Sequence, residues 1–199
     1  MTQATLTTTR TGMPMDEFIR RYETEGPFEL VEGERIPMPP VMLGHVDIAG
    51  RLYATILNYA LPKQLGKVFM EGPFVTADVE DADWVKGARV PDVMYIVAER
   101  FDAYQEKNPD WRHGPLRIAP DVAVEVVSAN DRYTDIAAKV EGYLADGVRL
   151  VWIVDPWRRR VTVHERGSSQ QTTLTEADTL VGGEVLPGFE IRVGAIFGE

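Results

Sequence analysis

The segment APDVAVEVVSANDRYTDIAAKVEGYLADGVRLVWIVDP, residues 119–156, contains the pattern that decides the fold. It opens with the apolar run DVAVEVVS and closes with the nearly continuous apolar run VRLVWIVDP, which is typical of a strand buried on both faces. Between the runs, apolar residues recur at helical spacing over residues 133–146, and Gly147 suits the C-terminal cap of that helix. The order strand, helix, strand predicts a right-handed crossover between parallel strands.

Patterns on both sides of this segment predict the rest of the sheet and its helices. One helix is predicted to begin at Pro14 and a longer one to cover residues 45–60. Residues 98–120 are polar and contain several prolines, so we expect an irregular connection there. The other strand-forming segments are PFELVEGERIPMP (27–39), KVFMEGPFVTADV (67–79), ARVPDVMYIVA (88–98) and RVTVHER (160–166). The sequence therefore predicts an α/β chain of the α+β mixed-sheet kind, with a central mixed β-sheet flanked by helices.

Length and composition limit what the whole chain can be. A domain holds roughly 150 residues, so a chain of 199 residues predicts one domain, over residues 13–199, after a flexible leader of residues 1–12. The sequence has no cysteine, which excludes disulfides and thiolate metal sites and favours the cytoplasm as the location. No apolar run approaches the length of about 18 residues needed to span a membrane, so no membrane association is expected.

Two carboxylates interrupt apolar strands. Strand alternation in RVPDVMYIV, residues 89–97, places Asp92 in one row with Val90 and Met94. Glu125 likewise lies inside the hydrophobic run DVAVEVVS. A buried charge is tolerated mainly when it is paired or bound to a metal, because its isolated burial costs several kcal/mol. The sequence therefore predicts that both acids have a cationic partner.

Lys139 is the candidate cation. On the helical wheel it lies at the border of the apolar face, beside Ile136. The helix leaves the strand that contains Glu125 and packs back on it, so Lys139 can approach Glu125 although 14 residues separate them. The alternative is an ordinary exposed pair between Asp135 and Lys139, four residues apart on the helix.

Two carboxylates and an ammonium at adjacent strand ends are the groups used in metal-assisted hydrolysis of a phosphodiester. Asp92 and Glu125 would hold Mg²⁺ or Mn²⁺ through oxygen, with the backbone carbonyl of Val126 as an additional ligand. The metal would polarise the scissile phosphate while Lys139 orients the attacking water or stabilises negative charge. In the alternative interpretation the acids are structural, and Lys139 is their permanent counter-ion.

Several segments resemble the Uma-type restriction endonucleases, a family of the PD-(D/E)XK nuclease superfamily. The resemblance is strongest in PDVMYIV (91–97) and in residues 119–156. ELVEGE (29–34), His45 and LPGFEIRV (186–193) also resemble family positions, so the similarity covers most of residues 14–197.

The resemblance implies a restriction-endonuclease-like fold, a divalent metal and a DNA substrate. It implies that Asp92, preceded by Pro91, is the first metal carboxylate and that Glu125 is the second. The superfamily pattern has a lysine two residues after the second acid, where this chain has Val127. In the Uma-type pattern the lysine is displaced to the following helix, and Lys139 occupies that place.

Two further residues are candidates for catalytic roles. His45, at the predicted start of the second helix, could handle a proton at the site, and the alternative is an exposed histidine near a helix cap. Glu34 could supply a further acid, and the alternative is a carboxylate on an edge strand.

A basic turn partly answers the objection that a protein of net charge −10 repels DNA. Arg158, Arg159 and Arg160 follow Trp157 between two predicted strands, where they could contact phosphates or simply be solvated. Binding as a homodimer would also help an acidic nuclease to hold DNA. The competing hypothesis is a catalytically silent module with the same fold that binds a protein or nucleic-acid partner.

Overall fold

The structure is a computed structural model that describes residues 10–78, 80–129 and 131–198. Within these ranges the helices are α1 (Met15–Glu25), α2 (Leu43–Ala60), α3 (Ala98–Lys107), α4 (Tyr133–Asp146) and α5 (Val193–Ile196), together with one 3₁₀ turn at Trp111–His113. The strands are β1 (Met13–Pro14), β2 (Phe28–Val31), β3 (Glu34–Pro37), β4 (Gly66–Met70), β5 (Phe74–Ala77), β6 (Trp84–Arg89), β7 (Val93–Val97), β8 (Val122–Val126), β9 (Leu150–Asp155), β10 (Arg160–Glu165), β11 (Gln171–Thr175), β12 (Thr179–Val181) and β13 (Glu190–Arg192).

The largest sheet in the described residues has the strand order β11-β10-β9-β8-β7-β4. Its neighbours pair antiparallel except β8 and β9, which pair parallel with Val126 opposite Val154. Helix α4 connects β8 to β9 as the sequence predicts, since parallel neighbours need a crossover connection. The mixed sheet and its flanking helices confirm the predicted fold class.

Each face of this sheet is covered by different helices. Because successive side chains of a strand point to opposite faces, β8 directs Val124 and Val126 into one core and Ala123 into the other. The first core contains Leu52 and Ile56 of α2, and the second contains Tyr143 of α4. All six residues of β9 are buried, which matches the continuous apolar run in the sequence.

A second sheet pairs β1, β6, β2 and β3 in that order, with β5 also paired to β6, and β12 and β13 form a separate ladder. The second sheet packs with α1 around Phe18, Phe28 and Leu30, which are all buried. This sheet contains the segment ELVEGE, so the position of the sheet determines the direction of the Glu29 side chain.

The structure corrects the sequence prediction at two places. The predicted irregular connection is wrong over Ala98–Lys107, which form α3, because only Phe101 and Tyr104 are buried there and give little helical periodicity. The segment ARVPDVMYIVA is not one strand, because it divides at residues 90–92 into β6 and β7, which belong to different sheets. Pro91 has no N–H to donate to a ladder, so a strand end is expected there.

Of the predicted leader, residues 1–9 lie outside the described residues. Arg10 forms ion pairs with Asp78 and Asp81, and the indole N–H of Trp84 donates to the carbonyl of Thr11. Residues 10–12 are therefore attached to the region around β6. None of the helices formed by the described residues is long and apolar enough to cross a membrane.

Candidate active site

The predicted metal ligands meet Lys139 and His45 at one end of the central sheet. Asp92 immediately precedes β7, and Glu125 and Val126 are the last residues of β8, the antiparallel neighbour of β7. The N-terminal end of α2 brings His45 to this edge, and α4 brings Lys139. Four separate elements therefore supply the side chains of the site.

Asp92 is held by two partners from other elements. Its Oδ2 accepts a hydrogen bond of 2.6 Å from the backbone N–H of Val126, and its Oδ1 lies 3.0 Å from Nε2 of His45. Asp92 is only 6% exposed, so these contacts compensate the cost of removing its charge from water. The buried acid that the strand pattern predicts is thus joined directly to the strand that contains Glu125.

Glu125 contacts two side chains of α4. Nζ of Lys139 lies 3.0 Å from Oε2, and the hydroxyl of Tyr143 donates to Oε1. Burial raises the pKa of Glu125 to about 7; Lys139 acts against this increase, and the carboxylates of Asp92 and Glu29 add to it. Burial is therefore the main obstacle to ionisation of Glu125, and the ammonium of Lys139 is the main group that opposes it.

Glu29, which the sequence analysis did not select, is a third carboxylate of the site. Its Oε1 accepts a 3.1 Å hydrogen bond from the N–H of Val90, and its Oε2 lies 3.9 Å from Nζ of Lys139. Alternation in β2 places Glu29 opposite the core residues Phe28 and Leu30, which in a sequence indicates a solvent-facing residue, yet it is only 4% exposed. The sequence feature that points to Glu29 is its place in ELVEGE, a segment that resembles family positions.

The ammonium group of Lys139 is charged at this site. Burial lowers its pKa, but the carboxylates of Glu125 and Glu29 outweigh burial, so the pKa is raised above its usual value. About a third of the side chain, 36%, is exposed, so the ammonium reaches both the acids and solvent. The structure shows this pairing in place of the alternative surface pair with Asp135.

His45 is neither a free surface histidine nor a helix cap. Its side chain is 10% exposed, and the hydrogen bond to Asp92 is the main cause that raises its pKa above the usual value, against the opposing effect of burial. Its Nδ1 is buried and has no hydrogen-bond partner among the described residues. His45 is therefore placed to hold Asp92 and to carry a proton.

The other candidates contact residues outside this cluster. Glu34 is exposed on β3, an edge strand, and it is Glu29 of the neighbouring strand that contacts Lys139. The arginine turn connects β9 to β10, where Nη1 of Arg158 lies 3.2 Å and Nε of Arg160 3.6 Å from Oδ2 of Asp155. Arg159 pairs with Glu176.

The donor set fits a hard divalent cation. Asp92 and Glu125 offer carboxylate oxygens, and Val126 lies between them in the network, since its N–H binds Asp92 and its chain neighbour is Glu125. No group of three or more His, Cys, Asp or Glu side chains that could hold a metal is found in the described residues. Mg²⁺ does not need one, because it usually binds through one or two carboxylates and keeps several waters.

A small cavity opens beside Glu125 and Lys139. Its volume is about 30 Å³, and Asp131, Asp135 and Ile136 also line it. A cavity needs roughly 10–15 Å³ of such volume to hold a water molecule, so this one has room for a water next to the two charged groups.

Comparison with known proteins agrees with this architecture. A crystal structure of "a putative nuclease belonging to DUF820" from Anabaena variabilis ATCC 29413 superposes with a TM-score of 0.74 over 93% of this chain and 97% of that chain, at 20% sequence identity. At that identity the likeness shows the fold, and it supports the predicted restriction-endonuclease-like architecture. No curated protein matches the chain.

The family comparison covers nearly the whole chain. The sequence model of the family Uma2, described as "Putative restriction endonuclease", matches residues 15–194. The match confirms the resemblance inferred from PDVMYIV and residues 119–156. The chain therefore belongs to the Uma2 family.

Proposed function

We propose that the protein is a metal-dependent endonuclease that hydrolyses phosphodiester bonds of DNA at a PD-(D/E)XK-type site whose lysine has moved to the following helix. The observation that carries the proposal is the ion pair of 3.0 Å between Lys139 and Glu125, on a strand that also binds Asp92 through the N–H of Val126. Residues that are distant in sequence thereby join two acids and one ammonium in a single cluster.

Asp92, Glu125 and the backbone carbonyl of Val126 would hold Mg²⁺ or Mn²⁺. When bound, the ion would supply Lewis-acid polarisation of the scissile phosphate and would favour deprotonation of water. The raised pKa of Glu125 supports this assignment, because burial and the neighbouring carboxylates Asp92 and Glu29 disfavour its ionised form, and a divalent cation would stabilise that form.

Lys139 has two tasks in this proposal. Its ammonium, which reaches solvent beside Glu125, orients the attacking water and stabilises the negative charge that develops on the phosphate. Water adds to phosphorus, one P–O ester bond breaks, and the products are a phosphomonoester and a hydroxyl. Glu29, whose Oε2 lies 3.9 Å from Nζ, helps to position the ammonium.

His45 and Tyr143 act on the acids rather than on the substrate. His45 orients Asp92 through Oδ1, and the hydroxyl of Tyr143 fixes Oε1 of Glu125. Fixing both carboxylates reduces the reorganisation that substrate and ion binding require.

The test is cleavage of linear and circular DNA with Mg²⁺ or Mn²⁺ by the wild type and by Asp92→Asn, Glu125→Gln and Lys139→Met. We expect metal-dependent cleavage by the wild type and a loss of at least about a hundredfold in each variant, since each removes charge stabilisation from the transition state. Glu141→Gln is the matched control, because Glu141 is an exposed carboxylate of the same helix and does not line the cavity beside Glu125 and Lys139. It should cut at the wild-type rate.

The silent-module hypothesis makes the opposite prediction, and one observation favours it. All four carboxylate oxygens of Asp92 and Glu125 already contact groups of the protein. If the acids are only structural, none of the preparations cuts DNA, calorimetry detects no Mn²⁺ binding, and the variants differ from the wild type only in unfolding free energy. That result would overturn the proposed function.

A further inference from the structure

Two aromatic side chains of the described residues are largely exposed, and both follow strands that end at the candidate site. Trp157 is 69% exposed and Tyr133 is 80% exposed. Trp157 follows β9, and Tyr133 begins α4 after β8. An exposed aromatic ring offers an apolar face on which a ligand can stack.

The strand register places Trp157 near the site. Val126 and Val154 are opposite each other in the parallel ladder, and the N–H of Val127 donates to the carbonyl of Val154 at 2.8 Å. Trp157 follows Val154 by three residues, so at about 3.3 Å per residue its backbone lies within about 10 Å of Val154. Tyr133 precedes Lys139 by six residues, which is about 9 Å along a helix.

The turn that carries Trp157 is fixed by one buried acid. Oδ1 of Asp155 accepts hydrogen bonds from the backbone N–H groups of Trp157, at 3.1 Å, and of Arg158, at 3.0 Å. Asp155 is 7% exposed, whereas the side chain of Arg158 is 68% exposed. The turn therefore presents an aromatic ring and a neighbouring guanidinium to solvent in a defined geometry.

An aromatic ring beside an arginine suits a nucleic acid whose bases are unpaired. The bases of a duplex are stacked on each other and do not offer a free face, whereas each base of a single strand can stack on an aromatic side chain. Stacking does not depend on net charge, so it allows a chain of charge −10 to hold a polyanion.

We propose that the substrate is DNA with unpaired bases at the cleavage position, and that Trp157 stacks on one of these bases while Arg158 contacts the adjacent phosphate. This inference deepens the proposed function and rests on it for the identity of the polymer. Tyr133 provides a second stacking surface on the α4 side of the site.

The test measures binding in EDTA, so that no strand is cut. A labelled oligonucleotide is titrated by fluorescence anisotropy as a single strand and after annealing to its complement. We expect the single strand to bind more tightly, Trp157→Ala to weaken it about tenfold, and Trp157→Phe to retain most of the affinity. Arg158→Ala should reduce the dependence of binding on salt, whereas Trp157→Ala should leave that dependence unchanged.

Leu61→Ala is the matched control. Leu61 is also largely exposed, at 57%, but it lies at the other end of α2 from His45. It should bind like the wild type. Equal affinity for single and double strands, no effect of Trp157→Ala, or no binding of either form would overturn the inference.

Cleavage assays on the same preparations separate the two proposals. Metal-dependent cleavage of duplex DNA that is unaffected by Trp157→Ala would leave the proposed function intact and overturn the inference. Tight binding of a single strand that depends on Trp157, without cleavage in Mg²⁺ or Mn²⁺, would support the stacking surface and overturn the proposed function.

Discussion

Glu125 sits at the centre of the network, with Lys139 and Tyr143 on its two oxygens and the acids Asp92 and Glu29 nearby. Its raised pKa means that the carboxyl group carries a proton in part of the population near neutral pH when no cation is bound. A metal ligand must be deprotonated, so binding of a cation and loss of this proton are linked. The same residue thus connects burial, charge balance and the proposed chemistry.

Binding of Mg²⁺ should therefore release protons in a pH-dependent way. Because the pKa of Glu125 is about 7 without metal, we expect release of about one proton near pH 6 and almost none near pH 8.5. Calorimetry in buffers of different ionisation enthalpy measures this number. The variant His45→Gln removes any contribution of the histidine and should still release the proton of Glu125. Release of an equal number of protons at both pH values would contradict the assignment of Glu125 as the group that loses its proton.

The pKa of His45, followed by NMR, should be higher than the pKa of His164. Its hydrogen bond to Asp92 raises its pKa above 6.5, whereas burial lowers the pKa of His164, which serves as an internal reference. Asp92→Asn should return the His45 pKa towards its ordinary value and leave His164 unchanged. A His45 resonance that titrates below His164 in metal-free protein would show that the contact with Asp92 is absent.

The raised pKa of His45 also determines how its contribution to the unfolding free energy changes with pH. A raised histidine pKa stabilises the folded state below the ordinary value and loses this contribution as pH rises through the folded-state pKa. The destabilisation caused by His45→Gln, measured by urea unfolding, should therefore be larger at acid pH than at alkaline pH.

At the scale of elements, the unit β8–α4–β9 is the part that the sequence predicts best. Its strands are apolar enough to be recognised by themselves, and α4 has a clear apolar face that ends at Gly147, where φ is +107°. The contact of Lys139 with Glu125 lies within this unit, so the sequence predicts it as well.

The elements that sequence analysis missed depend on packing between distant segments. Helix α3 buries only Phe101 and Tyr104, so periodicity does not identify it. Glu29 is buried because the second sheet lies against the end of the central sheet, a relation that no local pattern contains. His45 could be placed at a helix start from the sequence, but its partner Asp92 is 47 residues away.

Two glycines in neighbouring elements should respond oppositely to alanine. A Cβ added to Gly50 of α2 meets no heavy atom within 4 Å, so Gly50→Ala should stabilise the protein by about 0.5–1 kcal/mol through helix propensity. A Cβ on Gly66 of β4 would lie 2.0 Å from the carbonyl oxygen of Ile96, so Gly66→Ala should destabilise it by about 1–3 kcal/mol. Urea unfolding measures both, and a stable Gly66→Ala protein would contradict the β4–β7 register.

At the scale of the whole molecule, charge is distributed unevenly. The chain has 31 acidic and 21 basic residues, yet three consecutive arginines, two in the β9–β10 turn and one at the start of β10, lie at the sheet end where Asp92 and Glu125 lie. Asp155 and Glu176 already pair with these arginines, so they offer less free positive charge than their number indicates. A substrate polyanion would then be held largely by the bound cation and by contacts other than ion pairs.

The central claim is that Asp92 and Glu125 share one divalent cation beside Lys139. The anomalous scattering of crystals grown with Mn²⁺ tests it most directly. We predict one strong peak between the two carboxylates, in contact with the backbone carbonyl of Val126, and its loss in Glu125→Gln. Crystals in which Mn²⁺ occupies other positions only, while Asp92 and Glu125 keep their bonds to His45 and Lys139, would contradict the claim.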